Sequence, residues 1–229
     1  MKIPGVAAKW LFMLCLPILL LSASLGWAAN SFWLYKYGFH KYNVSQTTGL
    51  AESELDKVAT GLISYFNSGE EYISLTVVKD GKPFELFTRE EVIHFKDVKG
   101  LIWLDYRLLL GTLVYVLAYA LICLLWRKDW RRLAWGVVGG GGITLALMLA
   151  LGLGTLLGFE QLFLQFHRLF FSNEFWSAEG YMLQLFPEPF FYDAAIFCAL
   201  VTACLAIILG GVAGVYLRIT KGADPVKGQ

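Results

Sequence analysis

Histidine is the side chain in this sequence best suited to acid–base chemistry, and the chain has only three: His40, His94 and His167. An unperturbed imidazole titrates near pH 6.5, so it can accept or donate a proton at physiological pH. His94 and His167 fall between long apolar runs, where they are predicted to lie outside a membrane but near its surface. Each of them could instead be an ordinary interfacial side chain with a polar tip and an apolar body.

Carboxylates surround His94 at helical spacing. Thr88 and Glu91 are spaced as in a capping box, where two side chains satisfy backbone N–H groups at the start of a helix. In the helix predicted to follow, Glu90, Glu91 and Asp97 stand three or four residues from His94. Side chains at these spacings lie on one face of a helix, so any of the three could accept a hydrogen bond from the ring and fix its tautomer.

His167 lies in an aromatic stretch. Phenylalanines recur there at helical spacing, which predicts an interfacial helix with one aromatic stripe. His167 is at the edge of this stripe and should lie near headgroup depth, where the ester bonds of lipids are. The stripe consists of Phe159, Phe163, Phe166 and Phe170.

Composition indicates an integral membrane protein. Hydrophobic residues make up 57% and charged residues 16% of the 229 residues, and mean hydropathy is +0.58. A soluble domain has nearer a quarter charged residues. Four uncharged apolar runs are long enough to cross a bilayer, and their lack of charge disfavours a proton-coupled transporter. The predicted spans are 1–29, 107–126, 133–158 and 194–217, although a cleaved signal peptide is an alternative for the first.

The basic residues predict orientation, because cytoplasmic loops are enriched in lysine and arginine. The loop 127–132 is predicted to be cytoplasmic, and so are the N-terminus and the tail 218–229. Segments 30–106 and 159–193 are then exported. The basic residues concerned are Lys2 and Lys9, then Arg127, Lys128, Arg131 and Arg132, and finally Arg218, Lys221 and Lys227.

The exported segments have different predicted structures. In 30–106, Ala51–Phe66 has the pattern of an amphipathic helix, and the Asp80-Gly81 pair between two β-prone runs predicts a hairpin. Segment 159–193 is predicted to be interfacial, with Pro187 and Pro189 turning the chain back before the last span. The predicted fold is therefore a mainly α membrane protein with four transmembrane helices and a small extracytoplasmic α+β domain between the first and second.

Cysteine, glycine and net charge argue against other functions. All four cysteines fall within predicted spans, so we expect free, buried thiols. The four glycines Gly139–Gly142 and the G-x-x-x-G pair of Gly210 and Gly214 favour close helix packing over a nucleotide site, because they lie inside apolar segments. The net charge of +1 gives no reason to expect a nucleic-acid partner. The cysteines are Cys15, Cys123, Cys198 and Cys204.

Two blocks of the sequence resemble a known family. They are Glu91–Lys99, and Phe166–Phe171 continuing through Trp176 to Phe191. Together with the four-span layout, they resemble the lipoprotein intramolecular transacylases, called Lit. The resemblance implies an enzyme without a cofactor, acting on membrane lipid and the diacylated N-terminus of a bacterial lipoprotein. It implies catalytic roles for His94 and His167 and none for His40.

The implied reaction moves the sn-2 acyl chain of the diacylglyceryl group to the α-amino group of the N-terminal cysteine, giving a lyso-form lipoprotein. This amine has a reference pKa of about 7.7–8.0 and needs little activation. The two imidazoles could share the proton transfers, and the sequence leaves open which is the acid and which the base. Orienting or oxyanion-stabilising roles for Asp97, Glu91 and Arg168 are our own inference from their spacing and charge.

Two alternatives remain open at the level of sequence. A metal-dependent lipid-ester hydrolase could use His94, Asp97 and His167 as ligands, although the sequence has no H-E-x-x-H motif. A non-enzymatic accessory membrane protein could present the same exported surface to a partner.

Overall fold

The computed structural model describes residues 3–222, with side chains described for 5–220. Four helices in it are long and apolar enough to cross a membrane, as the sequence predicts. They are α1 (Ile3–Ala29), α5 (Arg89–Leu121, extended by a π-helical segment Ile122–Trp126), α6 (Trp130–Phe170) and α8 (Glu188–Gly222). Lys2 and the predicted tail residues 223–229 lie outside the described residues.

Shorter elements fill the two segments predicted to be exported. Between α1 and α5 lie α2 (Phe32–Lys41), α3 (Val44–Thr48), α4 (Glu52–Phe66) and the strands β1 (Thr76–Lys79) and β2 (Lys82–Glu85). Between α6 and α8 lie a 3₁₀ turn (Phe175–Ser177) and α7 (Tyr181–Leu185). The chain is therefore mainly helical with one small sheet, in agreement with the predicted fold class.

The chain divides into two compact units. The first, here called the apolar unit, contains the described residues before Gly26, then Tyr106–Leu153, and the described residues from Phe197 on. The second, the histidine unit, combines Gly26–Asp105 with Gly154–Ile196. The predicted α+β domain between the first two spans is thus only part of a unit that also contains the second segment predicted to be exported.

Glycine allows close helix contact in the apolar unit. A Cβ placed on Gly140 would lie 2.9 Å from the Leu16 side chain and 3.2 Å from the backbone oxygen of Met13, both on α1. A Cβ on Gly141 would lie 3.3 Å from the backbone oxygen of Ala206 on α8. The predicted close packing is confirmed at these positions. A Cβ on Gly142, Gly210 or Gly214 would meet nothing within 4 Å among the described residues, although the Cα of Gly210 lies 3.9 Å from a Cβ placed on Gly141.

The thiols are only partly as predicted. All four cysteines are free, but only Cys123 and Cys198 are buried. Cys204 is exposed, since it lies on a face of α8 that does not pack against the described residues. The prediction of four buried thiols is therefore wrong for Cys204, and Cys15 is only partly buried.

The histidine unit has a hydrophobic core to which α4 and the hairpin contribute. The predicted apolar face of α4 is buried, and the hairpin packs its Val77 into the same core. Asp80 and Gly81 adopt positive φ angles of 53° and 74° between the paired residues Lys79 and Lys82, as a two-residue hairpin turn requires. The buried α4 residues are Leu55, Val58, Ala59, Leu62, Tyr65 and Phe66.

Two helix boundaries differ from the predicted ones. The helix predicted around His94 and the predicted span 107–126 form one continuous helix from Arg89 to Leu121, because the single glycine between them, Gly100, weakens a helix without breaking it. The helix α8 begins at Glu188, ahead of the predicted span. Pro189 lies in its first turn, where the missing N–H has no helical partner to lose.

The helix α6 is irregular at Gly158, the residue where the predicted third span ends. The backbone there is non-helical, with φ −172° and ψ 59°, and it marks a kink within α6. The aromatic stripe and His167 follow this kink, as the sequence predicted for a separate interfacial helix.

Candidate active site

The structure brings two of the three histidines together. His94 lies in the second turn of α5, and His167 lies in the last turn of α6. Both belong to the histidine unit, and their ring centroids are 6.1 Å apart with an angle of 28° between the ring planes. The predicted convergence of residues far apart in sequence is therefore observed.

Aromatic rings enclose the pair. Each histidine is only 6% exposed, which is unusual for a titratable side chain. Phe171 lies 4.8 Å from the His94 ring and 5.4 Å from the His167 ring, so it touches both. Phe163 and Trp176 lie 4.2 and 4.8 Å from His167. The imidazoles are thus held in a largely apolar environment that excludes most water.

A backbone contact fixes one of the rings. The Nδ1 atom of His167 is 2.7 Å from the carbonyl oxygen of Phe163, one turn earlier in α6. Because a carbonyl oxygen only accepts hydrogen bonds, the neutral ring carries its proton on Nδ1 and donates it to this oxygen. The other nitrogen, Nε2, then has a lone pair available for a proton.

The other ring is less constrained. Among residues 3–222, the buried Nδ1 atom of His94 has no hydrogen-bond partner. Buried polar atoms are usually hydrogen bonded, and a catalytic role is one explanation for an atom that is not. The fold therefore leaves bonding capacity on His94, beside His167.

Glu91 has partners other than His94. Its Oε2 accepts the backbone N–H of Thr88 at 2.8 Å, and the Thr88 hydroxyl accepts the N–H of Glu91 at 3.3 Å, which confirms the capping box. Its Oε1 accepts the N–H of Met182 at 2.6 Å. The carboxylate is fully buried and points to the start of α7, so it does not orient the ring directly.

The sequence suggested orienting or oxyanion-stabilising roles for Asp97 and Arg168. Asp97 Oδ2 accepts a hydrogen bond of 2.9 Å from the side-chain amide of Asn173. Arg168 is exposed, one residue after the buried His167. Their proposed orienting and oxyanion roles stay predictions.

Comparison with known proteins identifies the family. The sequence profile described as "Lipoprotein intramolecular transacylase Lit" matches residues 10–191. The chain belongs to the Lit family. It is therefore a multi-pass membrane protein of a transacylase family whose name identifies lipoproteins as the substrates. No match is found among curated proteins.

Solved Lit structures share its fold. The membrane-integral Lit of Bacillus cereus superposes with a TM-score of 0.84 at 18% identity, over 97% of this chain and all of that chain. Variants of the Bacillus cereus protein with one histidine replaced by arginine or alanine give TM-scores of 0.77, again at 18% identity. They cover 95% of this chain and 94% and 95% of theirs.

Two other possibilities raised by the sequence were a role for the third histidine and a metal site. In this Lit-family chain His40 is exposed on α2, and the absence of a catalytic role for it stays a prediction. No group of three histidine, cysteine, aspartate or glutamate side chains within the described part of the chain is placed to hold a metal ion. The ligand set considered for a metal hydrolase does not assemble there.

Sequence reasoning missed the roles of several neighbours. Phe171 contacts both rings although it is outside the predicted stripe, and Asn173 has no local pattern that points to Asp97. Trp176 lies in a block that resembles the family, but nothing in its spacing places it beside His167. The sequence offered only one geometric indication for Phe171, Asn173 and Trp176, which is that they closely follow His167.

Proposed function

We propose that the chain catalyses transfer of the sn-2 acyl group of a diacylglyceryl lipoprotein to the α-amino group of the same lipoprotein's N-terminal cysteine. The observation that carries the proposal is the pair of buried imidazoles 6.1 Å apart in an aromatic pocket. Membership of the Lit family supplies the reaction class. The substrate is a lipid and a peptide terminus joined in one molecule, which suits an apolar site next to polar groups.

The reaction needs two proton transfers and no cofactor. The neutral amine attacks the sn-2 ester carbonyl, forming a C–N bond and a tetrahedral oxyanion. One proton leaves the ammonium nitrogen, the bond from carbon to the glyceryl oxygen breaks, and that oxygen takes a proton. The products are an N-acyl amide and a free sn-2 hydroxyl on the same molecule. Imidazoles commonly act as the general acid or base in such transfers.

The geometry supports shared roles for the histidines. The Phe163 carbonyl holds the proton of His167 on Nδ1, so Nε2 is the nitrogen that would take a proton from the substrate. His94, with bonding capacity left on its ring, would complete the exchange. Holding both reacting groups in one pocket also reduces the entropic cost of the attack, which is within a single molecule.

The test uses the purified protein and a synthetic diacylated lipopeptide. Transfer is an isomerisation, so the lipopeptide mass should stay constant while its reactive amine disappears. A hydrolase would instead release a fatty acid and lower the peptide mass. An accessory protein would change neither the mass nor the amine of the lipopeptide. Persistence of the free amine in the presence of the wild-type protein would refute the proposed function.

We also propose that both termini are cytoplasmic and that the histidine site is extracytoplasmic, on the basis of the basic loop 127–132. In a Cys204→Ser background, cysteines placed at Asp80 and Gln184 should react with an impermeant thiol reagent in intact cells. A cysteine at Asp129 should react only after the cells are opened. Labelling of position 129 in intact cells would reverse the orientation.

A further inference from the structure

A buried carboxylate joins two parts of the histidine unit. Glu91, in the first turn of α5, is 0% exposed, and its two oxygens accept backbone N–H groups from Thr88 and Met182. Taking a charged group out of water is costly unless hydrogen bonds replace the water. Hydrogen bonds to a charged acceptor are also stronger than neutral ones. Glu91 is therefore a strong link between α5 and the start of α7.

Gly180 leaves room for this link. It directly precedes α7, and a Cβ on it would overlap Glu91 Oε1 and lie 2.5 Å from Cδ and 2.7 Å from Oε2. Its φ of 179° is ordinary extended backbone. Glycine is thus required by space rather than by conformation, because any side chain would push the carboxylate away from Met182.

The segment between His167 and this link covers the histidines. Residues 171–182, here called the covering segment, contain Phe171 against both rings and Trp176 against His167. A second contact ties the segment to α5, since Asn173 donates to Asp97 at 2.9 Å and accepts the N–H of Phe175 at 3.1 Å. The segment is held at its start by Asp97 and at its end by Glu91.

We propose that Glu91 is a positioning residue for the histidine pair: its buried carboxylate fixes the end of the covering segment and so keeps Phe171 and Trp176 against the imidazoles. The catalytic consequence rests on the proposed function of the histidines. The structural consequence does not, because enclosure of the two rings can be measured without a substrate.

The experiment measures how fast each histidine reacts with diethyl pyrocarbonate, resolved by peptide mass spectrometry on the full-length protein. In Glu91→Gln one oxygen becomes an NH₂ group that faces a backbone N–H, so one bond is lost. Opening of the segment should raise the modification rates of His94 and His167 roughly tenfold. The rate at exposed His40 should not change, which provides an internal standard. Gly180→Ala should have the same effect.

Catalysis gives a second readout. A displaced active site should lower kcat by about 10- to 100-fold while KM changes little, because the apolar binding surface persists. The double variant Glu91→Gln/Gly180→Ala should be no worse than the stronger single one, since both break one contact. If the lipopeptide proves not to be a substrate, the labelling rates still decide whether Glu91 holds the segment.

The matched control is Glu54→Gln, which removes a carboxylate that accepts the N–H of Val78 elsewhere in the same unit. It should leave the labelling of His94 and His167 unchanged. Unchanged labelling in both Glu91→Gln and Gly180→Ala would overturn the proposal. The proposal would also be overturned if Glu54→Gln raised the labelling rates of His94 and His167 as much as Glu91→Gln does. The effect would then be a general loosening of the unit.

Discussion

Helix α4 of the histidine unit and the membrane-crossing helices of the apolar unit direct many of their large apolar side chains differently. In the histidine unit the large apolar residues of α4 point inward, and Val58 and Leu62 are fully buried. In the apolar unit large aliphatic residues point outward, with Leu149 64% and Val212 69% exposed. An inward-facing core suits water, whereas an outward-facing apolar surface suits lipid.

This contrast explains where the chemistry can be. A titratable group in the lipid-facing surface would have neither water nor hydrogen-bonding partners. The histidine unit has a folded polar framework that can hold buried groups such as Glu91 in place with backbone N–H donors. The two imidazoles and their aromatic cover belong to that unit.

The largest effect should follow loss of either imidazole. His94→Ala and His167→Ala should each lower the rate of amine loss by about 10²–10⁴-fold, the usual range for a general acid or base. Because the two act in one reaction cycle, the double variant should be little worse than either single one. Initial rates with the lipopeptide measure both effects.

His40→Ala is the matched control for these variants. His40 is exposed on α2 and lies outside the aromatic pocket, so its loss should leave the rate nearly unchanged. A fall in rate with His40→Ala similar to that with His94→Ala would mean that histidine loss acts through stability rather than through the site.

The next largest effect concerns the two kinds of packing. Leu62→Ala should lower the free energy of unfolding by about 2–5 kcal/mol, because it opens a cavity in the histidine unit. Val212→Ala should change it by less than about 1 kcal/mol, since the side chain faces outward in the folded protein. Denaturation of both variants in the same detergent compares them, and equal losses would contradict the contrast between the units.

A smaller effect is expected at Asp97. In Asp97→Asn the side-chain oxygen can still accept the hydrogen bond from Asn173, so the covering segment should stay in place. Only the negative charge near His94 is lost, and the rate should fall less than on loss of either histidine. If Asp97→Asn keeps full activity and an unchanged pH optimum, Asp97 has no part in the reaction.

Local patterns were enough to predict several of the elements. The capping box at Thr88 and Glu91, the Asp80-Gly81 hairpin and the break at Gly158 each depend on neighbouring residues, and all three are observed. The length of α5 was not predicted, because nothing in the local sequence shows whether the helix around His94 ends before the span 107–126 or continues into it.

Long-range partners could not be predicted from one sequence. Spacing placed Asp97 and Glu91 near His94, but their observed partners Asn173 and Met182 lie 76 and 91 residues away along the chain. The nearness of the two histidines came from a family resemblance, since periodicity cannot bring residues on different helices together.

The most direct test of the central claim is a crossover experiment. The protein is incubated with two diacylated lipopeptides of different peptide sequence, one of which has deuterated acyl chains. Transfer within one molecule predicts that each N-acylated product keeps its own label, with no mixed product at any concentration. Mixed products would show that the acyl group leaves its parent molecule, and would contradict the proposed reaction.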